Sequence, residues 1–197
     1  MEVVHGLRTK DAVALTFHGN GDVALGRRLI QIATDRGAHI TVFVVGSWLA
    51  ANPSVAQLVT DHGHEWANHT WTHPELGRLG GAAVLDEIVR CRDALTRVTG
   101  TTGRWFRPSA MDRATPLVLT EAGRAGYSTS VAFDVDPSDY RDPGADLVRS
   151  RTLAGVQRGS IVSLHLGHQG TVDALPGILD GLSQRGLHPV TVSELLA

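Results

Sequence analysis

Ala12-Val13-Ala14-Leu15-Thr16-Phe17-His18-Gly19-Asn20-Gly21-Asp22 opens the regular structure of the chain. Its first six residues form an apolar, β-prone run of the length of a buried strand. The glycine-flanked turn behind them leads to Asp22, a preferred helix N-cap, and then to the amphipathic stretch Val23–Arg36. A strand passing into a helix through a short turn is the unit of parallel α/β architecture.

The unit recurs to the end of the chain. Further β-rich runs stand at Ile40–Val45, Glu65–Asn68, Trp105–Arg107, Gly126–Phe133, Ser160–Leu164 and His188–Thr191. Helical patterns stand between them at Pro53–Asp61, Ala82–Val98, Pro116–Ala125, Asp146–Gln157 and Val172–Arg185. Asn52 before Pro53 and Thr115 before Pro116 start helices, whereas Gly37 and Gly186 end them. Such alternation implies a parallel sheet with its helices outside. Seven strands without a dinucleotide glycine fingerprint favour a distorted (β/α)7-type barrel over a doubly wound sheet. No internal repeat or linker interrupts the pattern, so residues 1–197 read as a single α/β domain.

The composition excludes several classes of function. A net charge of -2 leaves no basic excess for nucleic acid and no polybasic run for a membrane surface. No apolar run approaches the roughly 18 residues of a membrane helix. The single cysteine, Cys91, cannot make an internal disulfide. Without a signal-like apolar segment at Met1–Arg8, the expected location is the cytoplasm, or outside the cell if an export segment precedes this sequence. The pattern leaves the oligomeric state open.

Reactive residues of parallel α/β folds gather at the carboxyl ends of the strands. Five of the ten histidines stand there: His18, His69, His73, His165 and His168. His69-Thr70-Trp71-Thr72-His73 spaces two imidazoles four residues apart, and one helical turn would bring them onto a single divalent ion. Pro74 turns the chain away from further helix and places the pair on a loop. Arg107 and Pro108 follow the fourth strand, and Asp134-Val135-Asp136-Pro137-Ser138-Asp139-Tyr140 follows the fifth. Trp66, Trp71 and Trp105 offer either a sugar-stacking surface or core packing.

This ordered set resembles the polysaccharide deacetylases of carbohydrate esterase family 4, which share the chitooligosaccharide-deacetylase homology domain. The likeness runs from Val13 to Leu196. It includes Thr41-Val42-Phe43-Val44-Val45-Gly46, Gly63-His64-Glu65 and the ending Pro189-Val190-Thr191-Val192-Ser193-Glu194-Leu195-Leu196. The resemblance implies a metal-dependent hydrolase of a non-peptide C–N bond, with an N-acetylated amino sugar or small acetamido metabolite as substrate. His69 and His73 match the metal-binding histidines, for Zn2+ first, with Co2+, Ni2+ or Mn2+ as alternatives. Arg107 matches the arginine that braces the base, His165 the histidine that protonates the leaving amine, and Asp136 the carboxylate that orients it. Tyr140 stands where the family usually carries a tryptophan, and Leu164 would line the acetyl pocket. Pro108 and His168 are further substrate-contact candidates.

The first motif departs from that family. Where its members read Thr-Phe-Asp-Asp-Gly, with a general base and a third metal ligand, this chain reads Thr16-Phe17-His18-Gly19-Asn20. Three alternatives follow. Asp22 reaches back as the third ligand and His18 serves as base, with Gly19 and Gly21 supplying the turn. Or His18 completes a three-histidine site. Or the chemistry is lost, and a pseudo-enzyme binds a glycan or a partner on the inherited groove. Cyclic imide or ureide hydrolysis is a rival enzymatic class among divergent relatives.

Overall fold

A computed structural model describes every residue from Met1 to Ala197. The elements are β1 (Glu2–Val3), β2 (Ala12–Gly21), α1 (Val23–Asp35), β3 (Thr41–Val44), α2 (Gly46–Ala51), α3 (Ala56–Thr60), β4 (Glu65–Asn68) and α4 (Gly81–Thr99). They continue as α5 (Pro116–Arg124), β5 (Ser130–Val131), α6 (Ala145–Gly155), β6 (Ile161–Gly167), α7 (Gln169–Gln184), β7 (His188–Val190) and α8 (Val192–Leu196). All strand pairings are parallel, in the order β4-β3-β2-β6, with β7 against the first residues of β2. Single bridges carry the sheet round from Asn68 to Phe106 and on to Ser130, and from Val135 back to Val162. The result is the expected distorted barrel, without a continuous ladder to close it.

The strand at Trp105–Arg107 is reduced to the bridging Phe106, and the run Gly126–Phe133 to Ser130–Val131. In the opposite sense, β2 runs four residues beyond Phe17. Its last ladder contact is Gly21 with Gly167. A Cβ built on Gly21 would lie 3.0 Å from the Gly167 Cα, so this lip requires two side-chain-free backbones.

Strand alternation sorts the residues of β2 onto two faces. Val13, Leu15 and Phe17 enter the main core, which packs the sheet against α1, α4, α6 and α7. Ala14 points to the barrel interior, where it joins Phe43, Ala67, Trp105, Val131 and Ile161 beneath Val192 and Leu195 of α8. That apolar floor is sealed by α8, whose start is a capping box of Thr191 and Glu194. Above Ala14 on the same face come Thr16 and then His18, so the interior changes from apolar to polar towards the strand ends.

Cys91 on α4 is wholly buried, and its thiol donates to the Val44 carbonyl at 3.3 Å. Burial pushes its pKa up to about 12.

Candidate functional site

A cleft of about 330 Å³ opens over the strand ends, lined by His18, His73, Pro108, Met111, Phe133, Asp136, Tyr140 and His165 among others. A second recess of about 280 Å³ adjoins it, where Asn20, Gly21 and His168 join His18, His73, Tyr140 and His165. Most candidate residues therefore share one concavity. Three of them serve elsewhere in the structure.

The histidine loop owes its shape to buried carboxylate and amide groups. Asn68 Oδ1 accepts from the Thr70 amide at 2.9 Å. Glu87, buried on α4, accepts from the Trp71 and Thr72 amides at 2.9 and 2.8 Å and from the Thr72 hydroxyl at 2.8 Å. The two histidines do not meet across a helical turn, because Thr70 and His73 adopt φ of 69° and 62°. These left-handed residues fold the loop back until the two rings lie 4.9 Å apart. Non-glycine residues in that region carry strain of order 1 kcal/mol, which the Glu87 anchor offsets.

His69 donates Nδ1–H to the Arg107 carbonyl at 2.9 Å, which leaves Nε2 as the lone-pair nitrogen. That Nε2 is buried and has no hydrogen-bond partner. An imidazole oriented through one nitrogen, with the other unpaired, is how metal-bound histidines are held. Burial, reinforced by His73, keeps His69 neutral by lowering its pKa well below the usual value. His73 is lowered too, by burial and by the neighbouring His165. His69 and His73 are thus the two imidazoles that could contribute to holding a divalent ion.

The third donor does not fit. Asp22 caps α1, accepting from the Ala24 and Leu25 amides at 2.8 and 3.0 Å, and it does not line the cleft. His18 stacks on His69 with ring centroids 4.3 Å apart, and both of its nitrogens are bonded. No three His, Cys, Asp or Glu side chains converge so as to hold an ion. The seat has two imidazoles.

Arg107 is enclosed. Its guanidinium donates to the Val131 carbonyl, the Thr16 hydroxyl, the Ala132 carbonyl and His18 Nε2, at 2.9, 2.9, 3.2 and 3.1 Å. The Phe43 ring lies 4.1 Å from it, and burial lowers its pKa to about 9. It has no face left for a substrate carboxylate or phosphate.

Asp139, rather than Asp136, partners His165. Pro137 and Ser138, the latter at φ 56°, turn the chain so that Asp139 passes beneath the end of β6. There its Oδ1 accepts His165 Nδ1–H at 2.7 Å. Its Oδ2 accepts the His165 amide at 2.8 Å and the Thr171 hydroxyl at 2.6 Å. Asp136 is exposed, closes an Asx turn onto the Ser138 amide at 2.7 Å and lines the cleft.

Leu164 is also displaced from its expected role. The pleat of β6 turns Ser163 and His165 into the cleft and buries Leu164 in the main core. Tyr140 and Pro108 line the cleft, and His168, bonded to Asp142 at 2.8 Å, lines the recess. Trp66 and Trp105 are core residues.

Sequence reasoning missed Asn20 and Glu87, and it ranked Asp139 below Asp136. Glu87 had a signal, a carboxylate on the buried α4 stripe of Val84, Ile88, Cys91 and Leu95. Asn20 had another, since it lies two residues beyond His18 and so on the same strand face.

A family model described as polysaccharide deacetylase matches residues 5–130. The chain is 31% identical to a chitooligosaccharide deacetylase from Bradyrhizobium sp. (strain ANU 289), covering 91% of this chain and 89% of that protein. It is 27% identical to a peptidoglycan-N-acetylglucosamine deacetylase of Listeria monocytogenes over 95% of its own length, but spans only 39% of that relative. Among solved structures, a family 4 carbohydrate esterase from Streptomyces lividans in complex with acetate matches at 28% identity and TM-score 0.84, covering 90% of each chain. A family 4 pseudoenzyme from Bacillus anthracis shares the fold at TM-score 0.94 and 24% identity, covering all of this chain and 69% of that one.

Proposed function

The chain belongs to the polysaccharide deacetylase family, and from that premise we propose that its cleft takes an N-acetylated amino sugar, alone or in an oligosaccharide, and hydrolyses the acetamide. The observation carrying this is that His73, beside the unpaired Nε2 of His69, and the carboxylate-backed His165 border one cleft. An acetamide needs help at both ends, because its carbonyl is a weak electrophile and its nitrogen leaves only when protonated. A Zn2+-class ion held by His69 and His73 supplies Lewis acidity and an acidified water when bound.

The remaining work belongs to the chain itself. His165 lines the cleft and is the residue assigned to give the leaving amine its proton. Asp139 fixes the orientation of the ring and places the hydrogen on its Nδ1. Tyr140, Met111, Pro108 and Phe133 offer apolar surface to a sugar face, with Asp136 and Asp112 for its hydroxyls.

A second reading rests on the first strand, which brings no carboxylate to the site. With two imidazoles in the seat, the cleft binds the N-acetylated sugar and does not turn it over.

One experiment separates the two. Acetate release from N-acetylglucosamine tetramer is followed with and without added ZnCl2, beside calorimetric titration of the same oligomer. Zinc-stimulated release, lost in His165→Ala, supports hydrolysis. Oligomer binding without release at saturating zinc supports the binding reading, and the absence of both sinks the two together.

A further inference from the structure

Four side chains form one continuous hydrogen-bonded row: Arg107 to His18 Nε2 at 3.1 Å, His18 Nδ1 to His165 Nε2 at 2.9 Å, and His165 Nδ1 to Asp139 at 2.7 Å. The chemistry of the two ends fixes every hydrogen between them. A guanidinium only donates, so His18 Nε2 accepts. A neutral imidazole has one donor and one acceptor, so His18 Nδ1 carries the hydrogen and donates to His165 Nε2. His165 Nδ1 therefore holds the other hydrogen and gives it to the carboxylate. Any reversed assignment asks His18 to accept at both nitrogens or sets two donors against each other.

We infer that His18 is a positioning residue, which ties Arg107 to His165 and holds His165 with Nε2 as an unprotonated acceptor beside the cleft. His18 is then neither the substitute for the family's aspartate base nor a metal ligand, since both of its nitrogens are spent. Resting on the deacetylation reading, one consequence follows: His165 Nε2 is occupied by the His18 hydrogen, so His165 can pass a proton to the departing nitrogen only after that bond opens and Nε2 takes up a proton. The row also joins the barrel interior to the site, because Arg107 stands on Thr16 and on the Val131 and Ala132 carbonyls.

The test is long-range proton–nitrogen NMR of the ring nitrogens of the whole 15N-labelled chain at pH 7.5, assigned by single-histidine variants. His18 and His165 are both expected as Nδ1–H tautomers, the less common form of a free imidazole. In His18→Ala the Nε2 resonance of His165 is expected to move towards that of an unbonded nitrogen. His18→Gln, whose amide both accepts and donates, should move it back. Saturating ZnCl2 should shift His69 and His73 and leave the His18 tautomer unchanged.

An Nε2–H or doubly protonated His18 overturns the proposal, as does a His165 nitrogen that ignores His18→Ala or a His18 ring that coordinates zinc. If His18→Ala fails to fold, the wild-type tautomers still decide the matter. Acetate release plays no part in this readout, so a failed row and a failed hydrolase are told apart.

Discussion

Gly19 stands where the family's metal-binding aspartate is expected, but its missing side chain is aimed away from the cleft. A Cβ there would lie 2.8 Å from Val42 Cγ1 and 3.1 Å from Val44 Cγ2, on the side of the sheet that faces the main core. Gly19→Asp should therefore bury a charge among valines and restore nothing to the metal seat. The expected result is a loss of at least ~2 kcal/mol in urea unfolding, with zinc affinity unchanged by calorimetry. A stable variant with tighter zinc binding would show that β2 bends differently at its end. At this scale the sequence was legible in residue type and less so in partner. It located a carboxylate for His165 within a few residues. It named Asp136 where the structure has Asp139, because the choice rests on the left-handed Ser138, which spacing does not display. Asp22 was ambiguous from the outset, as the best capping residue and a good ligand are the same side chain.

Single elements act on the site mainly through what they hold still. Helix α4 contributes no residue to the cleft, yet its Glu87 takes three donors from the loop between His69 and His73. Removing that carboxylate leaves the two amides without their acceptor and the strained loop without its anchor. Glu87→Ala should cost about 2–3 kcal/mol and weaken zinc binding several-fold while the cleft residues stay intact. Calorimetric zinc titration beside thermal unfolding checks this; unchanged affinity in a destabilised variant would make Glu87 a packing residue only. Strand β6 shows the same division within one element. Leu164 supports the core, and its neighbours Ser163 and His165 meet the ligand space. Reading Leu164 as pocket lining carried a family role over without the pleat that decides which way it points.

Across the whole molecule, the parallel sheet and its outer helices were legible because each strand and helix carries its own periodicity and boundary residues. What escaped was short or set by long-range contacts. β1, α2 and α8 lack the length for a pattern, and Phe106 joins the sheet through single bridges. The extension of β2 to Gly21 depends on the close approach of Gly167, distant in sequence.

Another whole-molecule property is the response to acid. His18 and His69 are held well below the usual histidine pKa by burial, and burial takes His64 to about 4. His64 sits between the Ile40 amide and the Thr34 hydroxyl. As pH falls through about 6.5 the unfolded chain takes up protons that these native histidines refuse, so stability declines towards pH 4. The urea midpoint should be clearly lower at pH 5.0 than at pH 7.5. An equal or higher midpoint at pH 5.0 would mean that these rings are charged in the native state.

The sheltered thiol of Cys91 makes the native surface inert to maleimides and similar reagents. A cysteine placed at Asn20, exposed on the wall of the recess, would then be the only reactive thiol without any change to the core. A fluorophore or spin label attached there would report occupancy of the recess directly, independently of any turnover.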